Sequence, residues 1–188
     1  MFLATFVLKW LMRDLHKETR FNYLTWGRGA GAEWTVQRNL ASLGADYEVI
    51  SDFQTKIGKG NIDFIVVCQQ GIFTIEVKAH NGFITYYDHQ LLKDGRPMEK
   101  DTIKQAYAEA SHLRELLGEE FAKDYTVTGI LEFVNGTVDR NTVHESIDGI
   151  WVGGRGFHRD VFEMRHTDLL PPDEVKAVAG FLREYGKL

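Results

Sequence analysis

Two runs rich in β-branched and aromatic residues, 61–68 and 71–78, are separated only by Gln69-Gln70. Runs of this composition broken by a short polar pair form a β-hairpin. With Gln69-Gln70 as a two-residue turn, Cys68 pairs with Gly71 and the ladder sets Asp63 directly opposite Glu76. Opposed side chains have Cβ atoms about 4.5–5.5 Å apart, and like charges there repel. Two carboxylates so placed are best explained by a cation between them. Lys78, two residues beyond Glu76, shares that face of the strand. Two acids and a lysine on one sheet face predict a divalent-metal site for hydrolysing a phosphodiester. Ile75 and Val77 are apolar, so the strand is buried, and an ionised group in it is costly unless paired or metal-bound. A plain buried Asp63–Lys78 ion pair is the alternative.

The 188 residues suffice for one domain with a substantial core, and 44% apolar with 26% charged residues is ordinary for a globular chain. Cys68 is the single cysteine, which excludes an internal disulfide and makes a structural zinc site improbable. It is expected as a buried thiol in a reducing, cytoplasmic compartment. The net charge of -5 argues against a molecule that is cationic all round. Residues 1–104 carry 13 Lys and Arg against 12 Asp and Glu, and residues 105–188 carry 9 against 15. The first part is therefore the expected face for a phosphate backbone.

The apolar start, with Leu3, Phe6, Val7, Trp10 and Leu11 at helical spacing, is too short to span a bilayer. It also lacks the pattern of a signal peptide. A helix packed on the domain or on a second copy is expected, without stable membrane insertion. The predicted order continues with a helix over about residues 30–43, a strand from Tyr47 to Phe53, the hairpin, and a strand from Gly82 to Tyr87. Residues 88–100, with a turn at Asp94-Gly95, read as an exposed excursion. Asp101 can cap a helix running to about Leu117, with the apolar stripe Ile103, Ala106, Tyr107, Ala110, Leu113 and Leu117. Strands at 126–134 and 147–152 and a last helix after Pro171-Pro172 complete a mixed sheet in an α/β sandwich.

Gly27, Gly29 and Gly31 lack the spacing and preceding strand of a dinucleotide loop, and read as a flexible entry into the next helix. Glu33 heads an otherwise apolar helical stripe. It either turns toward the site or serves the helix dipole in the first turn. Gln105 lies off its helix's apolar stripe, and a solvent-exposed glutamine is the default. Lys56, Lys59, His80, Lys93, Arg96, Lys100 and Lys104 surround these elements in sequence and are candidate phosphate ligands, with Lys56, Lys59, His80 and Lys104 placed first.

Gly31-Ala32-Glu33, Leu40, Leu43, the 61–67 run, the 71–78 run, Asn81-Gly82 and Gln105-Ala106, in that order, resemble the nuclease-related domain (NERD) family of the PD-(D/E)xK nuclease superfamily. The resemblance covers roughly residues 29–135. It implies a restriction-endonuclease-like fold, a mixed β-sheet flanked by helices, over residues 29–188, with 1–28 as an N-terminal helical extension. It implies Mg²⁺ or Mn²⁺ chemistry on nucleic acid, DNA first. Asp63 and Glu76 would be the metal carboxylates, Glu33 an additional acid, Lys78 the group that orients water or neutralises charge, and Gln105 a contribution from the following helix. The backbone carbonyl of Val77 could add a metal oxygen. Where the family often has Asn-Pro before that glutamine, this chain has Asp101-Thr102. A non-catalytic nucleic-acid-binding module and a dimeric endonuclease like the Holliday-junction resolvases are the competing readings.

Overall fold

The computed structural model describes residues 29–55, 61–141, 146–164 and 169–186. The N-terminal extension 1–28 lies outside them, as do Lys56 and Lys59. The two apolar runs are strands β2 (Asn61–Cys68) and β3 (Gly71–Lys78), and Cys68 pairs with Gly71 as the hairpin register requires. Apolar residues on both faces of a strand need cover on both sides. Accordingly β2 and β3 lie inside a sheet that adds β1 (Glu48–Gln54), β7 (Val127–Phe133) and β9 (Ile150–Gly154) in the order β1-β2-β3-β7-β9. The sheet is antiparallel from β1 to β3 and parallel from β3 to β9, which is the expected mixed sheet.

One face packs on α1, helical over residues 29–41, through Ala32, Val36 and Leu40, and on α3 (Phe157–Met164) through Val161 and Phe162. The strands answer with Phe64, Val66, Phe73, Ile75, Val77 and Ile130. The other face meets α2 (Thr102–Phe121) through Leu113 and Leu117, and α4 (Pro172–Tyr185) through Val175, Val178 and Leu182. Each such side chain, fully buried, contributes about 1.5–3 kcal/mol. Gly29 and Gly31 are helical, so the flexible entry expected there is a regular helical turn.

The position of α2 matters most for the site. Asp101 caps it, its carboxylate accepting from the Lys104 N–H at 3.0 Å. Ala106 and Ala110 pack over β7 at Gly129, where an added Cβ would touch the Ala110 methyl at 3.4 Å and the Ala106 carbonyl oxygen at 3.5 Å and would clash with Ile150 Cδ1 at 2.4 Å. Small residues on both partners hold helix and sheet close together.

A second sheet, in the order β6-β5-β4-β8, is built from β4 (Gly82–Tyr87), β5 (Gln90–Lys93), β6 (Arg96–Pro97) and β8 (Gly136–Val138). It corrects the reading of 88–100 as a mere excursion. Asp88 and His89 (φ 48° and 59°) make one tight turn, and Asp94 and Gly95 (φ 50° and 76°) make the next. Two consecutive positive φ values suit two-residue hairpin turns. Strands this short carry no readable alternation. Among the described residues no helix is long and apolar enough to cross a membrane.

Candidate active site

The β2–β3 ladder runs from Cys68–Gly71 to Phe64–Ile75, and beyond that last pair a side chain takes over. The Val77 N–H donates to Asp63 Oδ2 at 2.8 Å. On its other side, too, Asp63 faces an interruption. The β1–β2 pairing passes from Ser51–Phe64 to Phe53–Ile62, and the intervening Asp52 has a φ of 51°. Aspartate tolerates the left-handed region better than most residues, and Asn61 Nδ2 donates to its carboxylate at 2.7 Å. Such local departures from regular backbone cluster at functional sites.

Glu76 and Lys78 lie on the face of β3 that α2 covers. Glu76 is buried, at 4% exposure, and Lys78 Nζ donates to its Oε1. The ion pair therefore runs between Lys78 and Glu76, not between Lys78 and Asp63 as the alternative reading required. Gln105 completes a closed set of bonds. Its Nε2 donates to Glu76 Oε1 at 2.8 Å, and its Oε1 accepts from Lys78 Nζ at 3.1 Å. The default view of Gln105 as a solvated surface residue is corrected here: close packing at Ala106 and Ala110 lowers this edge of α2 onto β3.

One residue escaped the sequence reading altogether. Gln105 Nε2 also donates to Glu109 Oε1 at 3.0 Å, which brings a third carboxylate beside Glu76. Glu109 follows Gln105 by four residues, one helical turn, and both flank the alanines of the contact stripe. Paired polar residues beside two small buried ones were the available signal. Glu33 is exposed on α1, yet near enough to Asp63 to disfavour its ionisation. His80 is exposed past the end of β3, its ring edge-on to Phe133. Lys104 is exposed on α2, where its backbone N–H bonds the capping carboxylate of Asp101.

The electrostatics are those of crowded acids. Burial pushes Asp63 up to about 7, Glu76 adds repulsion, and the Val77 N–H works the other way. Burial likewise pushes Glu109 up to about 8, again with repulsion from Glu76. Glu76 Oε2 and Glu109 Oε2 are buried and accept no hydrogen bond. Such orphaned oxygens are costly in a protein interior, and a divalent cation would satisfy them while relieving the repulsion. The donors are hard oxygens, the set that suits Mg²⁺ or Mn²⁺. Among the described residues no group of three or more His, Cys, Asp or Glu is arranged as a ready-made cage. Mg²⁺ does not demand one, because it often binds through one or two carboxylates and completes its shell with water and phosphate.

Both raised acids bind more protons in the native state than in the unfolded chain between their ordinary values and about 7 and 8. Their contribution to stability is therefore lost as pH rises through that window. In thermal melts in chelator these two groups should contribute a fall in melting temperature from about pH 4 to about pH 8. Asp63→Asn should flatten that fall and raise the melting point at neutral pH. A variant that melts lower than the parent at neutral pH would contradict this account.

The model of the nuclease-related domain matches residues 28–138. The chain belongs to the nuclease-related domain family. The matched region contains every element that carries Glu33, Asp63, Glu76, Lys78, Gln105 and Glu109. Among solved structures the chain is similar to SfsA of Pyrococcus furiosus in complex with Ca²⁺, at 13% identity and a TM-score of 0.32. That alignment covers 69% of this chain and 56% of SfsA. No curated protein matches the chain.

Proposed function

We propose that this nuclease-related domain protein hydrolyses phosphodiester bonds of nucleic acid, DNA first, with a divalent cation held by Asp63 and Glu76. The supporting observation is the bonded set Glu76–Lys78–Gln105 beside Asp63, with buried carboxylate oxygens left unbonded. The carbonyl of Val77 would be a further oxygen donor, and Glu109 lies within the same group of acids. When bound, Mg²⁺ or Mn²⁺ supplies Lewis-acid polarisation of the phosphoryl group and makes water more acidic.

The chain's own residues do the positioning. Gln105 bonds both members of the Glu76–Lys78 pair, which fixes the ammonium relative to the carboxylate. Lys78 is then placed to neutralise negative charge that develops on the phosphoryl oxygens as water adds and one P–O ester bond breaks. The Val77 N–H holds the Asp63 carboxylate at the point where the two strands stop pairing. No protein nucleophile is needed. Cys68 is fully buried and its thiol is pushed up to about 11 by that burial, so it takes no part.

The test incubates the purified protein with labelled linear, single-stranded, circular and four-way DNA, with Mg²⁺ or Mn²⁺ and with a chelator. Cleavage that needs the cation, and that Asp63→Ala and Glu76→Ala each abolish while the fold survives, is the expected result. Full metal-dependent cleavage by both variants would sink the assignment. Binding without cleavage on any substrate would point instead to a non-catalytic nucleic-acid-binding module.

A further inference from the structure

A cleft of about 810 Å³ opens beside Lys78, walled by the β5–β6 hairpin and the residues leading into α2. Besides Lys78 it is lined by Lys93, Arg96 and Lys100. Of its two acids, Asp94 is committed to the fold, since its Oδ1 accepts from the Phe83 N–H at 2.8 Å. Gly82 makes room for that bond: its φ is 105°, and a Cβ there would come within 2.5 Å of Asp94 Oδ2. Glu99 is the remaining acid of the lining.

Two observations bear on these cations. The first is register. Lys93 stands directly opposite Arg96 across the β5–β6 turn. Like charges in that relation destabilise a hairpin. An anion between the two would turn the repulsion into attraction. The second is the absence of carboxylate partners. The ion pairs among the described residues join Lys78 to Glu76, Lys123 to Glu174, His158 to Glu132 and Arg183 to Glu48. Lys93, Arg96 and Lys100 enter none of them, although the chain carries more acids than bases. The positive field is felt by His80, which lines the same cleft: partial desolvation, then Lys93 and Lys78, hold its imidazole below the ordinary histidine range.

We infer that this cleft seats the phosphates of the nucleic-acid strand flanking the scissile bond, with Lys93, Arg96 and Lys100 as their ligands. The inference deepens the nuclease reading by assigning where the substrate strand runs. Lys78, which bonds Glu76, is part of the lining, so a strand gripped by the hairpin lies beside the ammonium that joins the acid cluster. A volume of about 810 Å³ falls in the range of clefts that take a small ligand or a short stretch of chain. The cations carry affinity and alignment, since phosphate contacts position a strand without reading its sequence.

Binding and cleavage separate the two claims. A fluorescent single-stranded oligonucleotide is titrated in chelator at salt from about 50 to about 200 mM, with wild type and with the triple variant Lys93→Ala, Arg96→Ala, Lys100→Ala. Three lost phosphate contacts should reduce the slope of log K against log salt by about 2. A control variant of equal charge change, Arg114→Ala, Lys123→Ala, Lys176→Ala on the α2 and α4 side, should keep the wild-type slope. In the cleavage assay the triple variant should raise KM with kcat little changed. Its melting point should not fall, because the Lys93–Arg96 repulsion goes with it. An unchanged slope, or an equal reduction in the control, would overturn the inference. Slope loss confined to the triple variant, in a protein that cuts nothing, would leave the phosphate seat standing and remove the nuclease reading.

Discussion

Lys78→Met is expected to lower metal-dependent cleavage by about 10²–10³-fold, mainly through kcat. Among the described residues Lys78 is the cation bonded into the acid cluster, and its ammonium is tied to both Glu76 and Gln105. Methionine fills similar volume without the charge. A group whose charge matters most when the phosphorus gains an oxygen affects the transition state more than the bound substrate, so KM should move little. The variant should still bind the cation, because Asp63 and Glu76 remain. Isothermal titration with Mn²⁺ beside single-turnover cleavage would show this split. The variant also leaves a buried Glu76 with only the Gln105 amide as donor, so its chelated form should melt below wild type, and added cation should narrow the difference. Wild-type kcat in Lys78→Met would remove the lysine from the chemistry.

The largest loss of stability is expected on β7, one strand over from Glu76 and Lys78. Glu132 and His158 are both fully buried. Glu132 Oε1 accepts from the Gly156 N–H at 2.9 Å, while Oε2 accepts from the His158 N–H at 3.4 Å and lies 2.6 Å from His158 Nδ1. One carboxylate thus ties the end of β7 to the turn that opens α3. Glu132→Ala would strand these groups in a dry interior and leave a cavity, at a cost of about 3–5 kcal/mol. For a protein of this size that is a fall of about 6–20 °C in melting temperature. Glu132→Gln keeps one acceptor oxygen and should lose less. Urea unfolding distinguishes the cases, and a cost under about 1 kcal/mol for the alanine variant would show that the contact is dispensable. Because Glu132 is the lateral neighbour of Val77 in the sheet, partial unfolding there should also weaken cation binding at the site.

The β2–β3 hairpin was legible because one short turn dictates its register. Once Gln69-Gln70 is the turn, every partner from Cys68–Gly71 to Phe64–Ile75 follows, and Asp63 and Glu76 come next in register. What register could not convey is that pairing stops there and the Asp63 side chain bonds the Val77 N–H instead. Gln105 was assigned by resemblance, while its local pattern pointed to solvent. Its inward role depends on how α2 packs on the sheet through its buried Ala106 and Ala110, which the local pattern around Gln105 does not convey. Glu109, one turn further along α2, depends on the same packing. Glu132 and His158 stand in different elements, and no periodicity links an acid in a strand to a histidine in a short later helix. The hairpin at Lys93 and Arg96 was missed because strands of four and two residues show no alternation.

The second sheet hangs from the site's own strands. β4 begins four residues after Lys78, β8 begins three after Phe133, and the two pair in parallel. The floor that carries the acids and the basic wall are therefore successive stretches of one chain, joined by short links at two places. Lengthening or trimming the Asp88-His89 or Asp94-Gly95 turns would remodel the wall without disturbing the floor. Relatives that differ in these turns would share one chemistry and differ in which strand geometries they admit.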